Sequence, residues 1–344
     1  MSVTNRYFLA ANGFSGFRSG FGTVLSSEKI KRLYIIKGGS GVGKSTLMRR
    51  ISSHFADTGY AVEEILCSSD PASLDGVVIK SGGGDILLID GTSPHEYDMK
   101  YPAVRDFTVD LSKHIDEEAI ECEKEKVIFL IKQKKKHYDF AYKNLHLAGI
   151  AYETIMDIAK PYAKLHDISK LAKKLFPNRY ESCAEIKHAL YSAFCRVGLV
   201  SLDTNDKIFE RTYYFEQGYK TQILFSMLIS EIKTRSLTIT VFPSPLSEDI
   251  IDGFSVDGKT LFKACEGAAT YKAECYFNTF DDCEDKMIRS LYEIYNTALT
   301  AAEEAMKGAF ENHTALEEIY GAHMNFEKNT HLSDELIEKI RSEL

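Results

Sequence analysis

An α/β fold built around a phosphate-binding loop is predicted by three neighbouring stretches of this sequence. Residues 33–36 (LYII) form a short apolar, β-branched and aromatic run, as a buried strand does. Directly after it, Gly38 to Thr46 reads GGSGVGKST and fits G-x-x-x-x-G-K-[ST] with Gly38, Gly43, Lys44 and Ser45. Leu47, Met48, Ile51 and Phe55 then share one helical face, with Arg49 and Arg50 on another. Strand, glycine loop and helix in this order are the context the motif requires. Glycines at 38, 41 and 43 let successive N–H groups turn toward phosphate oxygens. The helix start adds unpaired N–H groups and partial positive charge. The nucleotide-binding set is therefore Gly38, Gly39, Ser40, Gly41, Val42, Gly43, Lys44, Ser45 and Thr46. Lys44 is expected to reach the β- and γ-phosphates of ATP, and the Ser45 hydroxyl to ligate Mg²⁺.

In chain order, residues 7–24 are rich in Gly, Phe and Ser and read as a loop-like opening segment. A strand over 32–37 and a helix over 44–56 follow, with Gly59 in the usual stop position. A second strand over 61–67 runs into the turn-forming Ser68-Ser69-Asp70-Pro71, and a third, Ile86 to Ile89, ends in Asp90. Alternating strands and helices argue for a parallel sheet with its site at the carboxyl ends of the strands. Asp70, Asp90 and the glycine loop should meet there. Asp90 is the expected second holder of Mg²⁺. Its neighbour is Gly91, where phosphate-loop hydrolases often carry a carboxylate that orients water. Asp70, His95 and Glu96 are left as candidates for that role, with Asp70 also able to serve as an ordinary turn residue. Thr92 or Ser93 could sense the γ-phosphate, and Lys100 or Arg105 could neutralise charge.

Residues 109–176 turn helical and read as a helical hairpin inserted after the core sheet. Its run KQKKKHY (132–138), with Tyr142 and Lys143, could be a nucleic-acid patch, but a solvated lysine face is the simpler reading. The later part echoes the first. Arg211 to Phe215 stands where Arg32 to Ile36 does, and Gly218-Tyr219-Lys220-Thr221 where Gly43-Lys44-Ser45-Thr46 does. Ile251-Asp252-Gly253-Phe254 likewise matches Leu74-Asp75-Gly76-Val77. The second loop has lost most of its glycines and so cannot wrap a triphosphate in the same way. Met287, Ile288, Leu291, Ile294, Ala298 and Leu299 give the last helical stretch an apolar stripe that suits the first insertion or a partner chain. The fold class expected is α/β: a P-loop NTPase parallel sheet with a helical insertion, then a degenerate second P-loop-like module and a helical tail. The corresponding spans are 1–110, 111–190, 191–285 and 286–344.

A net charge of −8 argues against a general nucleic-acid binder. No apolar run approaches the ~20 residues of a membrane span, and the first residues lack the order of a secretory signal. Seven scattered cysteines without C-x-x-C favour reduced thiols and a cytoplasmic protein.

The segments FLAANG, YIIKGGSGVGKSTLMRRI, ILCSSDPASLDGVVI and LLIDGTSPHEYD together resemble a family of uncharacterised bacterial ATPases built from two tandem phosphate-loop domains. The resemblance implies that the loops Ser68–Gly76 and Asp90–His95 flank the nucleotide. This sequence departs from the family in its second loop, which puts two-site ATP use in doubt. Three functions are compatible with the residues: an ATPase or ATP-driven switch, a small-molecule or nucleotide kinase with Asp70 as its base, and a nucleotide-controlled binding module acting on an unknown protein partner. GTP is disfavoured because no convincing N-K-x-D segment occurs.

Overall fold

The computed structural model describes residues 5–94, 96–176, 186–202, 209–233, 237–265, 280 and 286–344. The opening segment is structured where a loop was expected. It forms β1 (Asn5–Phe8), the hairpin β2 (Ala10–Gly13) and β3 (Gly16–Ser19), and the short helix α1 (Phe21–Leu25). Such brief strands leave no alternating pattern in a Gly- and Phe-rich stretch. Tertiary contacts hold them instead, among them the buried Asn12.

The core follows as β4 (Ile30–Lys37), α2 (Lys44–Asp57), β5 (Val62–Leu66), β6 (Leu74–Ile79), β7 (Asp85–Asp90) and β8 (Asp106–Asp110). The six strands lie in the order β1-β5-β6-β7-β4-β8. This sheet is mixed, not parallel as expected. β1 runs parallel to β5, and β4 parallel to both β7 and β8, but β6 is antiparallel to its two neighbours. The connections 67–73 and 80–84 are too short for a crossover, which takes about a dozen residues or more.

After α3 (Glu117–Ile120), α4 (Lys124–Ala159) and α5 (Leu165–Leu175) comes a second set: β9 (Ile186–His188), β10 (Ser192–Cys195), β11 (Gly198–Ser201), β12 (Arg211–Glu216), α6 (Tyr219–Lys233), β13 (Ile239–Pro243), β14 (Ile251–Val256) and β15 (Thr260–Cys265). Its sheet order is β12-β15-β14-β13-β9. Strand for strand the connectivity is that of β1 to β7. β9 is parallel to β13 as β1 is to β5, β14 is antiparallel to both neighbours as β6 is, and β15 is parallel to β12 as β7 is to β4. β10–β11 matches the β2–β3 hairpin. This second set starts at β9, before the expected boundary at 191, because a three-residue strand has no readable period.

The region expected as a helical hairpin is dominated by α4, a single helix of 36 residues. Its partner is α7 (Lys286–Ala322), followed by α8 (Phe326–Glu343). Ala141, Leu145, Ala148 and Tyr152 bury against Ala298, Ala302, Ala305 and Met306, while Val127 meets Leu316 and Ile319 at the other end. Of the tail's expected stripe, Ile288, Leu291, Ala298 and Leu299 pack on the insertion, antiparallel, while Met287 and Ile294 are exposed. Small residues set the spacing: a side chain at Gly308 would strike the His137 ring. α8 lies along α2, burying Leu336, Ile337 and Ile340 against Met48, Phe55 and their neighbours. Among the described residues no helix is long and apolar enough to cross a membrane.

Candidate functional site

β4 is almost entirely buried, with Leu33, Tyr34, Ile35 and Ile36 each at most 1% exposed, so it fixes where the loop after it emerges. Gly41 (φ 74°) and Gly43 (φ 92°) take the left-handed conformation that other residues resist. Gly43 also occupies the N-cap position of α2. The first residue of that helix, Lys44, folds back over the loop. Its Nζ donates to the carbonyls of Gly38 (2.8 Å) and Gly39 (2.7 Å) and stands 3.7 Å from Asp90 Oδ2. Asp90 reaches this point because β7 pairs in parallel with β4, setting Asp90 opposite Ile36.

Around this pair the remaining expected residues separate. Ser45 Oγ accepts a hydrogen bond from the Leu74 N–H (2.9 Å) and keeps its own hydroxyl hydrogen and a lone pair. Thr92, a candidate phosphate sensor, donates to Asp90 Oδ1 from both N (2.9 Å) and Oγ1 (2.6 Å), so it orients that carboxylate. Asp90 Oδ2 and the Ser45 hydroxyl are oxygen donors of the kind Mg²⁺ takes together with phosphates and water. Among the described residues no group of three or more His, Cys, Asp or Glu side chains forms a closed metal cage. A site finished by substrate phosphates does not need one.

The structure supplies a reason for the glycine beside Asp90. A Cβ at Gly91 would lie 2.3 Å from Ile35 Cγ2, and Lys37 Nζ donates to the Gly91 carbonyl at 2.6 Å. No carboxylate can stand there. Asp70 sits in the loop after β5, where Arg196 of the second set comes within 3.7 Å. Glu96 is exposed and makes no hydrogen bond or ion pair among the described residues. Ser93 is also exposed, and His95 lies outside the described residues. Arg105 is committed to the buried Asp106 (2.6 Å) and stacks over Tyr101 at 4.6 Å, while Lys100 remains exposed. Neither points to phosphate chemistry.

Several groups at the loop were not singled out from sequence. Asp110 ends β8 next to β4, opposite Lys37, and accepts hydrogen bonds from Ser112. Its strand, DFTVD, lacks the unbroken apolar run that marks Asp90, so no comparable signal pointed to it. The C-terminal helices lie directly on the loop. A Cβ at Gly41 would come 2.5 Å from the Glu317 carbonyl oxygen, and the Tyr320 ring faces Gly39. His313 Nδ1 stands 3.2 Å from Ser40 Oγ. Asn329 Nδ2 donates to the Val42 carbonyl (2.7 Å), while its Oδ1 lies 2.6 Å from His114.

The lysine run on α4 is not uniformly solvated either. Lys132, Lys135 and Lys136 are exposed, whereas Lys134 turns inward toward Lys44 and Glu317. Burial, and then the Lys44 charge, lower the Lys134 ammonium below its ordinary pKa, with Glu317 opposing. Glu317 is itself held below the usual carboxylate range, first by its hydrogen bond with His313 and further by Lys44 and Lys134. Lys44 thus stands among one further lysine, Lys134, and the carboxylates of Glu317 and Asp90.

The equivalent place in the second set is closed. Only Gln217 and Gly218 separate β12 from α6, the Tyr219 N–H donates to Tyr292 Oη (3.3 Å), and Lys220 is exposed. The small pocket of that set lies elsewhere, lined by Tyr191, Ser192, Asp252 and Lys263 among others. Burial pushes the Asp252 carboxyl up to about 6, against hydrogen bonds from Ser192 (2.6 Å) and Ser244 and the charge of Lys263. No protein-family model, curated protein or solved structure matches this chain significantly. The functional reading therefore stands on the geometry.

Proposed function

We propose that this chain is a P-loop NTPase that binds Mg²⁺-ATP on Gly38–Thr46 and hydrolyses it to drive a change in its C-terminal helices. The observation that carries the reading is Lys44, folded onto the Gly38 and Gly39 carbonyls and 3.7 Å from Asp90. A lysine at the head of a helix, behind a glycine loop and facing a strand-end aspartate, is suited to bridge β- and γ-phosphates. Ser45 and Asp90 would hold Mg²⁺, whose charge offsets that of the phosphates when bound. Loop amides and Lys44 position the triphosphate, and most of the catalysis on this reading is orientation and charge stabilisation.

The shared connectivity of the two strand sets supports an internal duplication in which one copy kept its loop. A switch role is favoured over simple hydrolysis because Glu317, Tyr320 and Asn329 rest on the loop itself. Any movement of the loop on binding is transmitted to α7 and α8. Calorimetric titration of Mg²⁺-ATP and phosphate release without an acceptor test this reading on wild type and Lys44→Ala. Binding and turnover by wild type, both lost in the variant, are expected. Wild type that does not bind ATP sinks the proposal.

A further inference from the structure

The β10–β11 hairpin reaches from the second strand set toward the first, and its two-residue turn is Arg196-Val197. We infer that Arg196 is the cation that meets the charge developing on the terminal phosphate of a nucleotide held at Gly38–Thr46. The inference rests on the nucleotide reading above.

Three features of Arg196 are unusual for a structural ion pair. Its Nη2 is 3.7 Å from Asp70 Oδ1, near the outer limit of such contacts. Its Nε is buried and has no hydrogen-bond partner among the described residues. Its guanidinium carbon lies over the Phe310 ring, 4.1 Å from the centroid, a cation–π contact that holds the group without satisfying its N–H donors. A buried donor left without a partner is costly, and a phosphate oxygen is the acceptor a guanidinium matches best.

Position relative to the loop follows from α7. Phe310, His313, Glu317 and Tyr320 are spaced along one side of that helix. They touch, in order, Arg196, Ser40, Gly41 and Gly39. At 1.5 Å per residue, Phe310 and His313 are ~4.5 Å apart along the axis. The ring that carries Arg196 therefore sits about one helical turn along α7 from the histidine that meets Ser40. The hairpin that carries it is firmly placed. Asn12 Nδ2 donates to the Phe194 carbonyl (2.9 Å) and to that of Ser68 (3.4 Å), and Tyr142 Oη donates to Asn12 Oδ1 (2.9 Å).

The matching hairpin of the first set sharpens the argument. Its turn residue, Phe14, reaches across in the same way, donating its N–H to the Leu246 carbonyl (2.8 Å) and burying its ring. Each hairpin thus inserts its turn into the loop after the partner set's first meander strand. The hairpin that meets the second set at Leu246 carries an apolar anchor. The one that meets the first set at Asp70 carries an arginine.

In the reaction, water oxygen forms the new bond to the terminal phosphorus, and the bond to the bridging oxygen breaks. The electron pair stays on the departing diphosphate, and the water proton passes to solvent. Arg196 takes and gives no proton; it exchanges Asp70 for the equatorial phosphate oxygens.

The test uses the full chain as wild type, Arg196→Ala and Arg196→Lys, with melting temperature as a check on folding. Phosphate release and binding of ATP and of ADP with aluminium fluoride are measured on each. Arg196→Ala should lose ~10²–10³-fold in kcat and a similar factor for the fluoride complex. Its ATP dissociation constant should stay within ~3-fold, and Arg196→Lys should recover part of the rate. Full turnover in Arg196→Ala, or an equal loss of ATP binding and fluoride-complex binding, overturns the inference while leaving the nucleotide site standing. Wild type that binds no ATP overturns both. If Arg196→Ala does not fold, Arg196→Lys with wild-type affinity for both ligands and wild-type kcat overturns it.

Discussion

At the head of α2 the chain runs from Gly38 to Gly43 before the helix begins, and the first helical side chain is turned back over that loop. At the head of α6 only Gln217 and Gly218 intervene, and a tyrosine from α7 takes the first helical N–H. The surrounding strands are connected alike. Two strand sets of like connectivity therefore differ in a few residues of loop and in what α7 lays against them. In the first set α7 supports the loop from outside, through Glu317 and Tyr320, and in the second it fills the site with Tyr292. The helix that closes one site is the helix that frames the other.

The largest expected effect is the contrast between the two lysines. Lys44→Ala should lower phosphate release by ~10²–10³-fold, the range for removing a group that stabilises transferring charge. Lys220→Ala, an exposed side chain, should change it by less than about twofold. Equal losses in steady-state assays would break the comparison and mean that the second set also binds nucleotide.

Stability should follow the same division. Gly41→Ala combines positive φ with a Cβ 2.5 Å from the Glu317 carbonyl and 2.6 Å from its Cα, backbone atoms that cannot rotate away. A loss of about 2–4 kcal/mol is expected, adding overpacking to left-handed strain. At Gly218 the nearest atom is Tyr292 Oη at 3.7 Å, an ordinary contact. Gly218→Ala, at φ 154°, should cost only the backbone strain, about 1–2 kcal/mol. Urea denaturation midpoints of the two variants check this order, and similar losses would show that α7 does not press on the loop.

The parts that could be read from sequence were those whose cause is local. β4, the glycine loop and α2 announce themselves because hydrophobic period and glycine positions act over a few residues. The echo at Arg211–Phe215 and Ile251–Phe254 marked β12 and β14 for the same reason. The mixed sheet is not legible strand by strand, because strand direction is decided by the length of the connections. α4 and α7 find each other across more than a hundred residues, so no local pattern could separate a hairpin from a long helix paired elsewhere. The site divides likewise. Lys44, Ser45 and Asp90 came from one motif and one strand end. Glu317, Asn329, Lys134 and Arg196 reach the loop only through tertiary packing, and Gly91 acquires its meaning only from Ile35 and Lys37 behind it.

The second set also predicts a pH effect of its own. Burial raises the Asp252 carboxyl from 3.8 to about 6. The folded chain then holds this proton at a pH where the unfolded chain has lost it, so the site weakens the fold as pH rises through that window. The cost is absent below the unfolded value, complete above about 6, and at most ~3 kcal/mol. Asp252→Asn removes it while keeping an acceptor for Ser192. The variant should gain stability at pH 8 and almost none at pH 4, measured by urea denaturation. A gain independent of pH would point to packing instead.

The smallest expected effect decides what closes the second site. Tyr292→Phe keeps the ring, which sits edge-on to Tyr295 at 6.0 Å, and removes only the hydroxyl that accepts from the Tyr219 N–H. One lost hydrogen bond at a partly exposed helix start is worth about 0.5–1.5 kcal/mol. The freed N–H and the dipole of α6 then face the space the hydroxyl occupied, which is the minimum an anion needs. On the proposed reading a triphosphate needs more, namely the amides of a whole loop, and between β12 and α6 there is no such loop. Calorimetry on Tyr292→Phe should still return one nucleotide per chain. Two would mean that a single hydroxyl, and not the missing glycines, had silenced the second set.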